Sequence, residues 1–257
     1  NFEDEYMIKV KGGKYIPSFS NELKEVFDIE VCKYPTTQKM WLEVMENNPS
    51  GFKGDNRPVE TVSWWEALEY CNKLSEKYGL EPVYELSKSS EGTLMIKELE
   101  GKIVSPDKAN FKNTEGFRLL TEVEWEWFAS GGGQKAIEQG TFNYIYSGSN
   151  NIDEVAWYYE NIGKFDDAST QDVGLKNSNQ LGLYDCSGNV WEWCYDATKF
   201  IEDIKTVAYT FNFSTMYRIL RGGSWNFADE ICTTFYRGDF QAIDSDDYVG
   251  FRIVRTI

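Results

Sequence analysis

The sequence predicts an α+β fold: two main helices around a small antiparallel sheet, with much irregular loop structure. Three observations carry that expectation. Two capping boxes, Ser63-Trp-Trp-Glu66 and Thr121-Glu-Val-Glu124, each open a stretch of helical apolar spacing. Short alternating runs such as Phe27-Asp-Ile-Glu-Val31 read as strands. Long turn-rich stretches lie between them, notably Thr141 to Gln180, which is aromatic and has no sustained period. No repeat and no linker is visible, so residues 1–257 are expected to form a single domain.

Tyr6-Met-Ile-Lys-Val10, Gly12-Gly13 and Lys14-Tyr-Ile16 read as a hairpin. Pro35 to Met45 reads as a helix with Thr36 or Thr37 as N-cap. Met40, Trp41, Val44 and Met45 form its apolar face. Asn47 to Pro58 is a polar loop rich in Gly, Pro and Asn. The Ser63 helix runs to about Tyr78, with Leu68, Cys71 and Leu74 on one stripe and Gly79 as its stop. Glu81 to Phe111 reads as a short hairpin insertion, with turns at Ser87–Gly92 and Glu98–Gly101. The Thr121 helix turns Val123, Trp127 and Phe128 inward and ends at Gly131-Gly-Gly133.

The densest stretch is Gly182-Leu-Tyr-Asp-Cys-Ser-Gly-Asn-Val-Trp-Glu-Trp-Cys194. Gly188-Asn189 signals a turn, and Trp191 and Trp193 alternate with Val190 and Glu192 as a buried strand requires. Ala197 to Thr215 is a loosely patterned connection. Tyr217–Leu220 and Val249–Val254 read as strands, the last expected to pair with the N-terminal hairpin.

Composition narrows the function classes. Acidic residues number 42 against 26 basic ones, a formal charge of −16. Phosphate binding needs clustered Lys and Arg, so nucleic acid is an unsuitable partner, and anionic membrane surfaces are disfavoured. No segment approaches the ~18 apolar residues of a membrane span, so no membrane insertion by this domain is expected. No signal-peptide pattern follows Asn1, and localisation cannot be read from this end. Histidine is absent, which removes Ser-His-Asp triads, His-metal sites and imidazole chemistry. Cys32, Cys71, Cys186, Cys194 and Cys232 form no CxxC pair, so a structural zinc site is not expected. At most two disulfides are available; buried free thiols are the expected state.

The central stretch resembles the signature of the formylglycine-generating-enzyme (sulfatase-modifying-factor) family, a branch of the C-type lectin fold. Arg118-Leu-Leu-Thr-Glu-Val-Glu-Trp-Glu-Trp127, Arg221-Gly-Gly-Ser-Trp225 and Gly250-Phe-Arg252 agree with it in the family's order, and Val59 to Ala67 resembles its earlier helix entry. The resemblance covers most of the chain. The family's enzymes carry two thiols, five residues apart, that bind copper; soft sulfur suits Cu(I). By position the second falls on Cys232 and the first on Phe227. One thiolate cannot make that site, so the resemblance implies a protein that is not an enzyme and requires no cofactor. It also implies a possible structural calcium held by Asp185, the carbonyls of Gly188 and Val190, and Glu192; hard oxygen donors suit Ca2+. The alternative is that Asp185 caps the turn and Glu192 pairs with a base such as Arg221. Both stay open here.

Within the family the chain most resembles the variable proteins of diversity-generating retroelements, of the Treponema type. Their C-terminal segment is rewritten at template adenines between RGGSW and the closing GFR. Carried over by position, the variable region spans about 217–252. Its ligand-binding residues are Tyr217, Phe227, Asp229, Ile231, Tyr236, Asp239, Phe240, Asp244, Asp246, Asp247 and Tyr248. Large aromatics mixed with short polar residues suit a paratope-like surface; the bland reading is an irregular loop with some buried aromatics. Asp244-Ser-Asp-Asp247 reads as a solvated turn. The resemblance implies a ligand-binding, receptor-type protein at a cell surface or outside the cell, with a protein or cell-surface ligand as partner. The alternative function is a formylglycine-generating-type oxidase or related modifying enzyme.

Overall fold

The structure, a computed structural model, describes residues 1–88, 94–104, 111–164, 166–198 and 217–257. In chain order its elements are α1 (Phe2–Tyr6), β1 (Met7–Val10), β2 (Gly13–Tyr15), β3 (Lys24–Val26), β4 (Ile29–Cys32), α2 (Gln38–Leu42), α3 (Trp64–Lys77), β5 (Ile96–Lys97), β6 (Ile103–Val104) and β7 (Arg118–Leu119). There follow α4 (Glu122–Ala129), α5 (Gln134–Glu138), α6 (Ile152–Val155), β8 (Trp191–Ala197), β9 (Tyr217–Arg221), β10 (Arg237–Gln241), β11 (Val249–Gly250) and β12 (Ile253–Thr256).

Both capping boxes form as expected. Ser63 Oγ accepts the Glu66 N–H at 3.2 Å, and Glu66 accepts the Ser63 N–H at 2.7 Å. In α4 the Thr121 and Glu124 bonds measure 3.2 and 2.8 Å. Gly79, at φ +71°, ends α3 in the left-handed region. Thr37 caps α2. That helix stops at Leu42, short of the expected Met45, and the Trp41 indole donates to the Asn47 carbonyl at 2.7 Å across the returning loop.

Among the described residues, eight strands form two four-stranded sheets, ordered β1-β4-β12-β7 and β10-β9-β8-β11, and β2-β3 and β5-β6 form two-stranded ones. All pairs are antiparallel except β8 with β11. Two expected pairings are corrected. Strands β1 and β2 make no hairpin; β1 pairs with β4 (Ile8 opposite Val31) and β2 with β3 (Lys14 opposite Glu25). The Asp28 carboxylate takes the Gly12 N–H at 2.8 Å and ties the β1–β2 connection to the β3–β4 connection. The C-terminal run is also not one strand beside β1. It splits into β11 and β12, and β12 lies between β4 and β7. Phe251 and Arg252 form the joint that passes from one sheet to the other.

The sheet of β8 and β9 sorts its side chains as strand alternation requires. Trp191, Trp193, Tyr195 and Leu220 enter the core built on α3. Cys194 and Ile219 enter the core built on α4. Indole donors in the first core are satisfied: Trp193 donates to the Val62 carbonyl at 3.0 Å and Trp64 to the Cys194 carbonyl at 2.9 Å. Strands β5 and β6 pair inside the expected insertion. The turn expected at Ser87–Gly92 and the connection expected at Ala197–Thr215 lie mostly outside the described residues.

Candidate functional site

The central turn and the C-terminal segment meet on a scaffold of buried charge. Gly188 and Asn189 both adopt positive φ, +74° and +64°, and a Cβ on Gly188 would stand 2.3 Å from the Trp157 carbonyl oxygen. Only glycine fits there. Asp185 accepts the Gly174 N–H at 2.8 Å and the Asn189 amide at 3.3 Å. Burial pushes its carboxyl up to about 6.

Glu192 follows on β8, fully buried. It accepts the Trp125 indole N–H at 2.8 Å and is clamped by Arg252, whose Nη2 donates at 2.8 Å and whose Nε lies 3.1 and 3.2 Å from the two oxygens. The base on Glu192 is therefore Arg252, not Arg221. Arg221 stands directly opposite Glu192 in the strand pairing, yet it reaches α4 instead. Its two Nη atoms meet Glu122 at 2.8 Å and Glu126 at 2.6 Å. Those two acids are one helical turn apart and bracket it. Arg221 also donates to the Thr234 carbonyl at 2.8 Å, which fastens the C-terminal segment to the scaffold.

Beyond that anchor the segment alternates between buried supports and accessible side chains. Arg221 to Ser224, Cys232 to Thr234, Ala242 and Val249 to Val254 are buried. None of the sequence-derived ligand-binding positions is. Their rings form a chain across the α3 side of the sheet. Phe227 packs edge-on against Trp191 and Tyr248, each at 5.6 Å between centroids. Tyr236 lies 6.0 Å from Trp191, and Phe240 lies 6.1 Å from Trp193. Ile231 packs on the same core.

The remaining positions are not all on that face. Asp239 is opposite Ile219, and Tyr217 is opposite Gln241, so strand alternation directs both to the α4 side. Asp229 sits against Tyr146, whose hydroxyl is 3.5 Å away. Asp244, Asp246 and Asp247 form the turn before Tyr248, with the Asp247 N–H bonded to Asp246 at 2.8 Å.

The face also includes a residue that sequence reasoning missed. Tyr159 donates its N–H to the Phe227 carbonyl at 3.1 Å and is 58% exposed. No periodicity marks Tyr159 in the sequence, because it lies in an irregular loop.

A family description, the sulfatase-modifying factor enzyme 1-like domain, matches residues 4–257. The chain belongs to this family. Its fold is the α+β, C-type lectin-like fold of that family. The chain is 36% identical over 266 residues to the chaperone protein LppX of Paenibacillus barcinonensis, covering 97% of this chain and 89% of that one. Its structure is similar to that of Treponema denticola variable protein 1, with a TM-score of 0.74 and 30% identity, covering 98% of this chain and 95% of the other. It is also 30% identical over 139 residues to the formylglycine-generating enzyme of Streptomyces coelicolor, covering 50% of this chain and 42% of that enzyme.

Two chemistries of the sulfatase-modifying-factor family can be set against these side chains. The dithiol would need residues 227 and 232. Residue 227 is Phe, and Cys232 is fully buried, with its sulfur 3.9 Å from the Ser224 carbonyl oxygen. A Cβ on Gly223 would come within 2.6 Å of that sulfur, so the Arg-Gly-Gly-Ser turn presses directly on it. Burial pushes the Cys232 thiol up to about 12, which disfavours the thiolate that metal binding needs.

The calcium ligand set fits poorly. Both Glu192 oxygens are occupied by Arg252 and Trp125, and the guanidinium places a positive charge where a cation would bind. Among the described residues no group of three or more Asp, Glu, Cys or His is placed to hold a metal. We expect the melting temperature to be the same in EDTA and in millimolar calcium. A rise that grows with calcium excess would show a ligand of the folded state.

Proposed function

We propose that this chain is a non-enzymatic binding protein whose recognition surface is the C-terminal segment, about residues 217–252, acting outside the cell or at its surface. One observation carries the reading. No position expected to contact ligand is fully buried, whereas Arg221 to Ser224, Cys232 to Thr234, Ala242 and Val249 to Arg252, which fix the segment, are. That is the arrangement in which contact residues can change without loss of fold. The same positions are those we propose to vary between copies of the protein. The resemblances support this: one relative is named a variable protein and another a chaperone, and both names suit binding to a protein rather than chemistry on it. The missing thiol at Phe227 counts against the oxidase alternative.

Two measurements test the proposal together. A sulfatase-type cysteine peptide incubated with the protein, Cu(I) and oxygen should keep its mass; time-dependent conversion to formylglycine would establish the enzyme instead. A random peptide library displayed on phage should then be panned on the protein and on a Tyr236→Ser/Tyr248→Ser variant. Peptides enriched by the native face should be lost on the variant, while circular dichroism shows both folded. Equal enrichment on both would place recognition elsewhere.

A further inference from the structure

At one end of the aromatic face, rings and carboxylates share one patch. Phe52 and Trp225 meet edge-on at 5.4 Å. Phe52 donates its N–H to Glu60 at 2.8 Å, and the Trp225 indole donates to the Asp247 carbonyl at 3.2 Å. A Cβ on Gly51 would stand 3.7 Å from Asp247 Cβ and 3.8 Å from a Glu60 carboxylate oxygen, so these two acids flank one point. Asp246 accepts the Thr61 N–H through its carbonyl at 2.9 Å, and Tyr248 continues the ring series toward Phe227.

The charge here is uncompensated. Residues 225–249 contain six acids and a single base, Arg237. That base is held by Glu122 at 2.6 Å on the α4 side of the sheet. Among the described residues, Asp244, Asp246 and Asp247 take part in no salt bridge; Glu60 beneath them is 0% exposed, and its carboxylate accepts the Phe52 N–H and the Thr61 hydroxyl. Burial, and then the neighbouring Asp246, raises the Asp247 carboxyl above its ordinary value. Accessible rings beside unpaired carboxylates favour a cation whose stem packs on the rings while its head meets the carboxylates. A neutral surface would leave the like charges unrelieved, and a second copy of this chain would bring more of the same sign to a protein already at −16.

We infer that the aromatic face docks a protein segment bearing exposed arginine or lysine, and that Asp246 and Asp247 receive its basic side chain. The inference rests on the binding reading above and names the chemistry of the partner.

The test uses the same phage library, panned on the full chain and on two charge variants. Asp246→Asn/Asp247→Asn removes the two receiving charges from the face. Glu25→Gln/Glu76→Gln removes two exposed charges on β3 and α3. The native protein and the β3/α3 variant should enrich peptides rich in Arg and Lys; the face variant should not. A selected basic peptide, synthesised and titrated calorimetrically, should bind the face variant about tenfold more weakly, the loss of one partly desolvated ion pair. Enrichment of neutral or acidic peptides that still depend on Tyr236 and Tyr248 would overturn this inference and leave the binding reading intact. Equal loss of basic peptides on both charge variants would show non-specific attraction to net charge, and would overturn it as well.

Discussion

Replacing Arg252 with Met should cost about 3–5 kcal/mol, because it breaks a buried ion pair and leaves one charge without its partner. Arg252 is 1% exposed and joins four separated pieces of chain. It clamps Glu192 on β8 and donates to the carbonyls of Cys32 at 3.0 Å, Lys33 at 2.8 Å and Tyr184 at 2.6 Å. The guanidinium therefore holds the end of β4, the central turn and β8 against the joint between the two sheets. Removing it strands Glu192, which no water can reach, and three carbonyls besides. A chain of this size loses roughly 2–4 °C per kcal/mol, so the melting temperature should fall by about 10 °C or more. The double variant Arg252→Met/Glu192→Met should be more stable than Arg252→Met alone, since replacing both partners by apolar groups removes the stranded charge. Urea unfolding of the two single variants and the double variant completes the cycle. A cost below about 1 kcal/mol for Arg252→Met, or simple additivity, would show that the pair does not lock the joint.

The importance of Arg252 illustrates which parts of the fold were legible. Gly250-Phe-Arg252 stands out as a motif, but its partner does not: the sequence points Glu192 to Arg221. Both bases lie within reach of β8, and which acid each finds depends on α4, whose Glu122 and Glu126 take Arg221 first. Such a choice is tertiary and leaves no local mark. The capping boxes of α3 and α4 were legible because their hydrogen bonds close within four residues. The N-terminal hairpin was misread for the opposite reason. Alternation shows that β1 and β2 are strands, but not which strands they join.

The candidate site divides in the same way. Resemblance names the segment and the positions expected to contact ligand, and none of them is fully buried. It could not show that Tyr217 and Asp239 are directed to the α4 side, since that follows from the pairing register of β9 and β10. Nor could it find Phe52 or Tyr159, which reach the face from loops distant in sequence.

The division between scaffold and face can be measured directly. Trp193→Ala should cost about 3–5 kcal/mol, the range for truncating a large core aromatic. Trp193 is 0% exposed, lies in the core built on α3, and donates its indole N–H to the Val62 carbonyl, which would be left bare. Tyr236→Ser should cost less than about 1 kcal/mol, close to the behaviour of other surface substitutions. Its ring is 39% exposed and rests on Trp191 from outside. Phe227→Ala and Phe240→Ala should fall between these, because each ring is half-buried against one of the two tryptophans. The expected ladder of melting temperatures is a fall of about 10 °C for Trp193→Ala and of a few degrees at most for Tyr236→Ser. The binding ladder should run the other way for the folded variants: Tyr236→Ser loses its selected peptide, since aromatic anchors carry most of an interface's energy. If Tyr236→Ser and Tyr248→Ser each cost more than about 2 kcal/mol, as core truncations do, the segment is part of the core. It could not then be rewritten without unfolding the protein.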